Sequence, residues 1–130
     1  MDFSDDSPGA DDRDLELSIT QVAAHPEPDG NLRVLIGTTR GEIRAVLHPC
    51  SDAPGAVIYV GGAMGGFEGP ARDIYGRLAD RLKPRASGLR AHYRKPGEFE
   101  ECVLDVLAAV SFLRGVGASG GIALVGHSFG

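Results

Sequence analysis

The five residues Gly126-His127-Ser128-Phe129-Gly130 carry the clearest chemical signal in the sequence. They fit the pattern G-x-S-x-G, in which a serine sits on a sharp, strained turn between a strand and a helix. The flanking glycines are needed because side chains at those positions would collide with the strand and the helix that meet there. A serine raised in this way is exposed for attack on an acyl carbon. Ser128 is therefore the candidate catalytic nucleophile.

A second segment, Gly61-Gly62-Ala63-Met64-Gly65-Gly66, is built almost entirely of small residues and directly follows the apolar run AVIYV. Acyl chemistry needs backbone N–H donors beside the nucleophile to receive the oxyanion, and one of them comes from a loop after a strand. A phosphate cradle is a poorer interpretation, since this segment fits neither G-x-x-x-x-G-K-[ST] nor G-x-G-x-x-G. A simple glycine turn stays open as the alternative. We interpret the segment as an oxyanion loop.

The elements that must position these motifs begin after an acidic segment. Residues 1–14 hold six aspartates and little that can be buried, so we expect them to be disordered and the folded domain to span residues 15–130. Alternating patterns in LELSITQVAA, LRVLIG and EIRAVLHP predict three strands. The connection Thr38-Thr39-Arg40-Gly41 has the length and the glycine of a hairpin. The domain is thus predicted to open with antiparallel strands.

The pattern then changes to alternating strands and helices. AVIYV reads as a strand buried on both faces of a parallel sheet, and two further strands are predicted over 88–93 and 121–125. Helices are predicted over 71–83 and 98–114, because apolar residues recur there at helical spacing. The predicted buried stripe of the first helix comprises Ile74, Tyr75, Leu78, Ala79 and Leu82, and that of the second comprises Cys102, Val103, Val106, Leu107, Val110 and Leu113.

With these motifs in this order, residues 32–130 resemble the α/β-hydrolase superfamily. The resemblance implies an α/β fold: an α/β-hydrolase-type, mostly parallel sheet with helices on both faces and antiparallel strands at its start, truncated after the nucleophile strand. It implies Ser128 as nucleophile, with an oxyanion hole formed by the N–H of Phe129 and that of Ala63 or its neighbour Met64. Gly61 departs from the pattern, since many members carry there the histidine of a His-Gly pair.

In that family the acid and the base of the triad follow the serine, and no residue of this sequence follows Gly130. We therefore expect the chain to be catalytically incomplete as given. The four histidines upstream of Ser128 are interpreted as ordinary surface or core residues, because a base must lie within hydrogen-bond reach of the serine. These histidines are His25, His48, His92 and His127.

Several other polar or apolar residues have two interpretations. Arg94 is a candidate contact for a substrate carboxylate, although a solvated loop residue is the simpler interpretation. Met64 and Phe67 either line an acyl pocket or pack in the core. The carboxylates of the predicted helices are expected on solvated faces; these are Asp73, Asp80 and Asp105.

The resulting expectation is a serine hydrolase that acts on a carboxylic ester, thioester or amide of a small molecule through an acyl-enzyme. No cofactor and no metal is implied. The net charge of −5 with scattered Arg and Lys disfavours nucleic acid, and the apolar runs are too short for a membrane helix, so a cytoplasmic protein is expected. Cys50 and Cys102 are expected to be free thiols. The alternative is a truncated, non-catalytic fragment or remnant.

A turnover assay tests the expected lack of an acid and a base. We expect the 130-residue chain to hydrolyse p-nitrophenyl esters only at a background rate that Ser128→Ala leaves unchanged, because nothing deprotonates the serine in each cycle. Steady-state rates of the two proteins are compared at pH 7 to 8. A rate that collapses in the Ser128→Ala variant would show that a base is present after all.

Overall fold

The computed structural model of the chain describes residues 16–62, 66, 67 and 69–127, and the predicted acidic segment 1–14 lies outside them. The elements found in this part of the chain follow the predicted order of strands and helices. They are β1 (Ile19–Pro26), β2 (Leu32–Thr38), β3 (Gly41–His48), β4 (Ala56–Val60), α1 (Pro70–Leu82), β5 (Ser87–His92), α2 (Phe99–Gly115) and β6 (Ile122–Gly126).

All six of these strands join one mixed sheet in the order β1-β2-β3-β5-β4-β6. The pairs β1/β2, β2/β3 and β3/β5 are antiparallel, whereas β5/β4 and β4/β6 are parallel. The predicted hairpin is confirmed, because Thr38 pairs with Gly41 across its turn. Gly41 has φ +125°, a left-handed backbone conformation that glycine adopts without the strain that a side chain would bring.

The predicted α/β-hydrolase-type sheet, mostly parallel with helices on both faces, is wrong. Three of the five strand pairings are antiparallel, since the opening strands stay in the main sheet and β5 adds to β3 in the antiparallel direction. The part of the chain that the structure describes has two helices, and α1 covers only the region of the sheet face formed by β4, β5 and β6. On that face, Arg33 and Leu35 of β2 and Arg44 of β3 stay exposed.

The larger core lies between the sheet and α2. Alternate residues of the strands point into it, as the two-residue period of a β-strand requires. Ile36, Ile43, Ile58 and Leu89 are all 0% exposed at its centre. The helix contributes Cys102, Ala108, Ala109, Phe112 and Leu113.

The buried face of α2 is rotated from the predicted stripe. Val103 is 41% and Leu107 58% exposed, although both were predicted to be buried. Leu104 and Asp105 are buried instead. The helix places the small residues Ala108 and Ala109 against the strands, which lets it approach the sheet closely. Val103 and Leu107 lie away from the sheet as a result.

The smaller core lies on the opposite face, between α1 and the strands β4, β5 and β6. Tyr59, Tyr75 and Ala79 are buried there, as predicted for the two helix residues, whereas Leu82 is 37% exposed. A Cβ atom at Gly88 would lie 3.2 Å from the Cβ of Ala79 and 3.3 Å from a ring carbon of Tyr59. The glycine therefore lets the helix and the ring pack directly on β5.

The two tyrosines of this smaller core differ in their hydroxyl groups. Tyr75 donates a hydrogen bond to the carbonyl oxygen of Val60 at 2.7 Å. The buried hydroxyl of Tyr59 has no hydrogen-bond partner among the described residues. Their rings are in contact, with centroids 5.5 Å apart. Burial raises the pKa of both hydroxyls, so both stay neutral.

The tyrosine pair yields a matched test of this core. We expect Tyr75→Phe to lower the free energy of unfolding by about 1 kcal/mol, because it removes a buried hydrogen bond. Tyr59→Phe is expected to leave the free energy unchanged or raise it by up to about 1 kcal/mol, because it removes an unpaired buried polar group. Urea unfolding followed by circular dichroism measures both. Equal destabilisation by the two substitutions would contradict the difference between the hydroxyls.

Candidate active site

The two candidate chemical motifs start from neighbouring strands. β4 and β6 are adjacent and parallel, and Val60 at the end of β4 pairs with Gly126 at the end of β6. The carboxyl ends of parallel strands meet at one edge of a sheet. Gly61 and Gly62 therefore leave the sheet beside His127. We call the ends of β4, β5 and β6 at Val60, His92 and Gly126 the C-terminal edge.

The predicted site residues themselves lie outside the described residues. These are the nucleophile Ser128 and the oxyanion candidates Phe129, Ala63 and Met64. Their roles stay predictions. The structure describes the residues that flank them: Gly62 and Gly66 on either side of the loop centre, and Gly126 and His127 before the serine.

The far end of the glycine-rich loop is attached to β5. The backbone N–H of Gly66 donates a hydrogen bond to Nδ1 of His92 at 2.8 Å. The ring of Phe67 packs against the ring of His92, with centroids 5.4 Å apart. The guanidinium of Arg90 reaches the carbonyl oxygen of Phe67 at 3.5 Å. His92 thus takes part in the C-terminal edge, a role that the sequence interpretation missed because no motif marks it.

His92 is electrically neutral in this setting. Burial lowers its pKa, and the positive charge of Arg44, which lies opposite on β3, lowers it further. Because Nδ1 accepts the Gly66 hydrogen bond, the ring proton of the neutral form sits on Nε2. Phe67, a candidate for the acyl pocket, packs on this ring.

His48 belongs to a separate polar cluster at the other end of β5. It is 1% exposed, its Nδ1 lies 2.8 Å from Asp80, and its Nε2 accepts a hydrogen bond from Arg90 at 2.9 Å. Burial is the main cause that lowers the pKa of His48, and the neighbouring Arg90 adds to it, whereas Asp80 opposes it. Both ring nitrogens are occupied, so His48 is a core histidine as predicted. Asp80 is exposed and on a solvated face, also as predicted.

Arg94 is a buried structural residue, so both interpretations offered for it from the sequence are wrong. Its side chain is 4% exposed and forms an ion pair with Asp105, whose side chain is 1% exposed. Its backbone N–H also donates to Asp105 at 2.8 Å, and its guanidinium donates to Glu101 at 2.9 Å. The expectation of a solvated Asp105 is wrong as well, because α2 turns this carboxylate toward the loop after β5.

Glu101 joins Arg94 to the β2–β3 hairpin. Its carboxylate accepts hydrogen bonds from Arg94 and from Arg40, including one at 3.1 Å from Nε of Arg40. The hydrogen bonds from Arg40 are the largest cause that lowers the pKa of Glu101 to about 2, and those from Arg94 add to it. Arg40, Arg94, Glu101 and Asp105, which we call the arginine cluster, therefore fix the start of α2 beside the C-terminal edge.

An apolar groove of about 340 Å³ runs from the C-terminal edge between α2 and β6. Val60 and Gly126 line the end of the groove at the C-terminal edge. Three of its large apolar side chains are strongly exposed: Phe99 at 67%, Leu107 at 58% and Leu124 at 57%. Such an exposed apolar surface is typical of a binding site for an apolar ligand or a protein.

Among the residues that the structure describes, no helix combines the length and the apolar character that a membrane span requires. Within the described residues, no three His, Cys, Asp or Glu side chains are grouped so as to hold a metal ion. Cys50 and Cys102 are free. His25 is exposed on β1, at the sheet edge opposite to β6.

Comparison of the sequence with protein-family models and with curated proteins finds no match to either. The resemblance to the α/β-hydrolase superfamily thus stays a prediction that rests on residues 61–66 and 126–130.

The arginine cluster makes stability depend on pH in a defined window. The pKa of Glu101 is about 2 in the folded chain against an ordinary 4.5, so its stabilisation is present above pH 4.5 and is lost as the pH falls toward 2. We expect Glu101→Gln to destabilise the chain at pH 7 and to reduce the loss of stability between pH 5 and 2. Urea unfolding at several pH values measures both effects.

Glu100→Gln is the matched control, since Glu100 is the exposed neighbour in the same helical turn. It removes the same charge and should leave the pH profile close to that of the unsubstituted chain. Identical profiles for the two variants would contradict the assigned role of the arginine cluster.

Proposed function

We propose that the chain is a serine hydrolase that cleaves a carboxylic ester, thioester or amide through an acyl-enzyme on Ser128. The observation that carries the proposal is the pairing of Val60 with Gly126. It makes the glycine-rich loop and the G-x-S-x-G motif start from adjacent parallel strands at the same edge. Nucleophile and oxyanion donors have to lie within a few ångströms of one carbonyl group, so this common origin supports the proposal.

The proposed chemistry has two steps. A base takes the hydroxyl proton of Ser128 while its oxygen bonds to the acyl carbon, and the backbone N–H groups of Phe129 and of Ala63 or Met64 stabilise the oxyanion. The bond from the acyl carbon to the leaving oxygen, sulfur or nitrogen then breaks, and the leaving group takes up the proton. Water releases the acid by the reverse sequence. Neither a metal nor an organic cofactor is needed for these steps.

His25, His48 and His92 are poorly placed to act as this base. His48 has both ring nitrogens bonded, and His92 uses Nδ1 to hold Gly66. β5 is also separated from β6 by β4, which puts their backbones about 10 Å apart. His25 lies on the far edge strand. The histidines named here are thus assigned to structure, and the acid and base of the triad are left without residues in this proposal.

The exposed groove favours a second candidate function, a chain without hydrolase activity of its own. Phe99, Leu107 and Leu124 present apolar surface beside β6, which pairs on one side only in the described part of the chain. An open apolar edge of this kind is suited to pairing with another polypeptide. Ser128 would then be chemically idle.

For the hydrolase we propose a small-molecule acyl substrate and a cytoplasmic location. The acidic balance of the whole chain, with a net charge of −5, supports neither a nucleic-acid nor an anionic-membrane partner.

Covalent labelling separates the two candidates without requiring turnover. We expect a fluorophosphonate to modify Ser128 about 10²-fold faster than other serines, because oxyanion donors retain much of their effect even when a triad is incomplete. Intact-mass spectrometry follows the rate, and peptide mapping locates the adduct. The adduct should vanish in Ser128→Ala.

Ser119→Ala is the matched control, because Ser119 is an exposed serine in the loop before β6. It should label at the rate of the unsubstituted chain. Slow labelling spread over several serines and unchanged in Ser128→Ala would contradict the hydrolase and favour the non-catalytic chain.

A further inference from the structure

The attachment of the glycine-rich loop to β5 includes one well-formed hydrogen bond. Gly66 N–H and Nδ1 of His92 are 2.8 Å apart, within the ordinary range for this bond. Gly66 has φ +101°, and a Cβ atom there would meet nothing within 4 Å. Glycine is therefore needed at this position for its backbone conformation, which directs the N–H toward the ring. A side chain would find enough space here, so crowding is not the reason for the glycine.

Two neighbouring contacts hold the same end of the loop. The ring of Phe67 packs on the ring of His92 at an angle of 59°. The guanidinium of Arg90 contacts the carbonyl oxygen of Phe67 and also lies 3.6 Å from Asp73 of α1. β5 thus provides both a hydrogen-bond acceptor and a donor for residues 66 and 67. The other end of the loop is continuous with β4, whose last carbonyl group, at Val60, accepts the hydroxyl of Tyr75.

We propose that His92 is a positioning residue for the oxyanion loop: its ring accepts the hydrogen bond of the Gly66 N–H and so holds the far end of the loop at β5. This inference rests on the hydrolase function proposed above. His92 does not touch the reacting atoms in this scheme. It acts through the backbone, because a loop whose two ends are fixed has fewer conformations in which its amides can face a substrate oxygen.

Protonation of His92 would break this attachment. The imidazolium carries an N–H at Nδ1, which would face the Gly66 N–H and leave that donor without an acceptor. The charged groups on the same face of the sheet include Arg33 of β2, Glu42 and Arg44 of β3, Arg90 of β5, and Asp73 and Asp80 of α1. Burial and Arg44 lower the pKa of His92, so release of the attachment by protonation requires a more acidic solution than an ordinary histidine would need.

Amide exchange and chemical shifts of Gly66 test the attachment directly in the ¹⁵N-labelled chain. His92→Leu should make the Gly66 amide exchange about tenfold faster, as expected for the loss of one hydrogen bond. His92→Asn should preserve slow exchange, because Oδ1 of asparagine lies as many bonds from the backbone as Nδ1 of histidine. In the unsubstituted chain the Gly66 amide shift should follow the titration of the His92 ring. His25→Asn, at an exposed position of β1, is the control and should change neither signal.

The fluorophosphonate reaction then tests positioning. We expect His92→Leu to slow the labelling of Ser128 about tenfold and His92→Asn to restore it to within about threefold, as one displaced oxyanion donor would cost at least this much. Labelling that depends on Ser128 but proceeds equally fast in His92→Leu would overturn the positioning role. A Gly66 amide that is insensitive to His92→Leu and to pH would overturn the attachment itself.

The two proposals fail separately. If the unsubstituted chain shows no labelling that depends on Ser128, the hydrolase function is refuted, and with it the catalytic part of this inference. The Gly66 signals decide the attachment in either case, because they require no activity.

Discussion

The backbone pairing of β4 with its two parallel neighbours is the constraint on which the rest of this structure depends. Four of the five residues of β4 are buried, and its side chains alternate between the two cores. Ile58 and Val60 pack toward α2, whereas Tyr59 packs toward α1. A strand held from both faces and both edges has no freedom to shift. Its carboxyl end is therefore a rigid origin for the glycine-rich loop.

The buried histidine and charged side chains near β4 are arranged so that they form hydrogen bonds with one another. His48 bridges Asp80 and Arg90, and Arg94 is surrounded by carboxylate and carbonyl oxygens. Burying such groups costs free energy unless each finds a partner, which explains why the charges occur in clusters. Because these hydrogen bonds already occupy the nitrogen atoms and carboxylates, the groups have little capacity left to bind a substrate. His92 differs, since its partner is the loop of the candidate site.

The β5 side and the β6 side of the C-terminal edge differ in how closely they are packed. On the β5 side, residues 66 and 67 contact His92 and Arg90. On the β6 side, Leu124 is exposed and the groove toward α2 is open in the part of the chain that the structure describes. An apolar edge strand paired on one side is a surface that binds other groups readily. Among the described residues, the β5 side of the edge is thus closely packed, whereas the groove beside β6 is open.

The sequence by itself determined the local structure and the two motifs. The buried run AVIYV, the hairpin turn and both helices follow from periodicity and turn residues, which depend only on neighbours along the chain. The tertiary structure alone decided the strand order, the mostly antiparallel pairing, the rotated face of α2 and the burial of Arg94 and Asp105. It also brought His92 to Gly66, 26 positions earlier in the chain. These features depend on which distant segments of the chain pack together. Strand direction and side-chain partners produce no periodic pattern in the sequence, so the sequence pattern does not predict them.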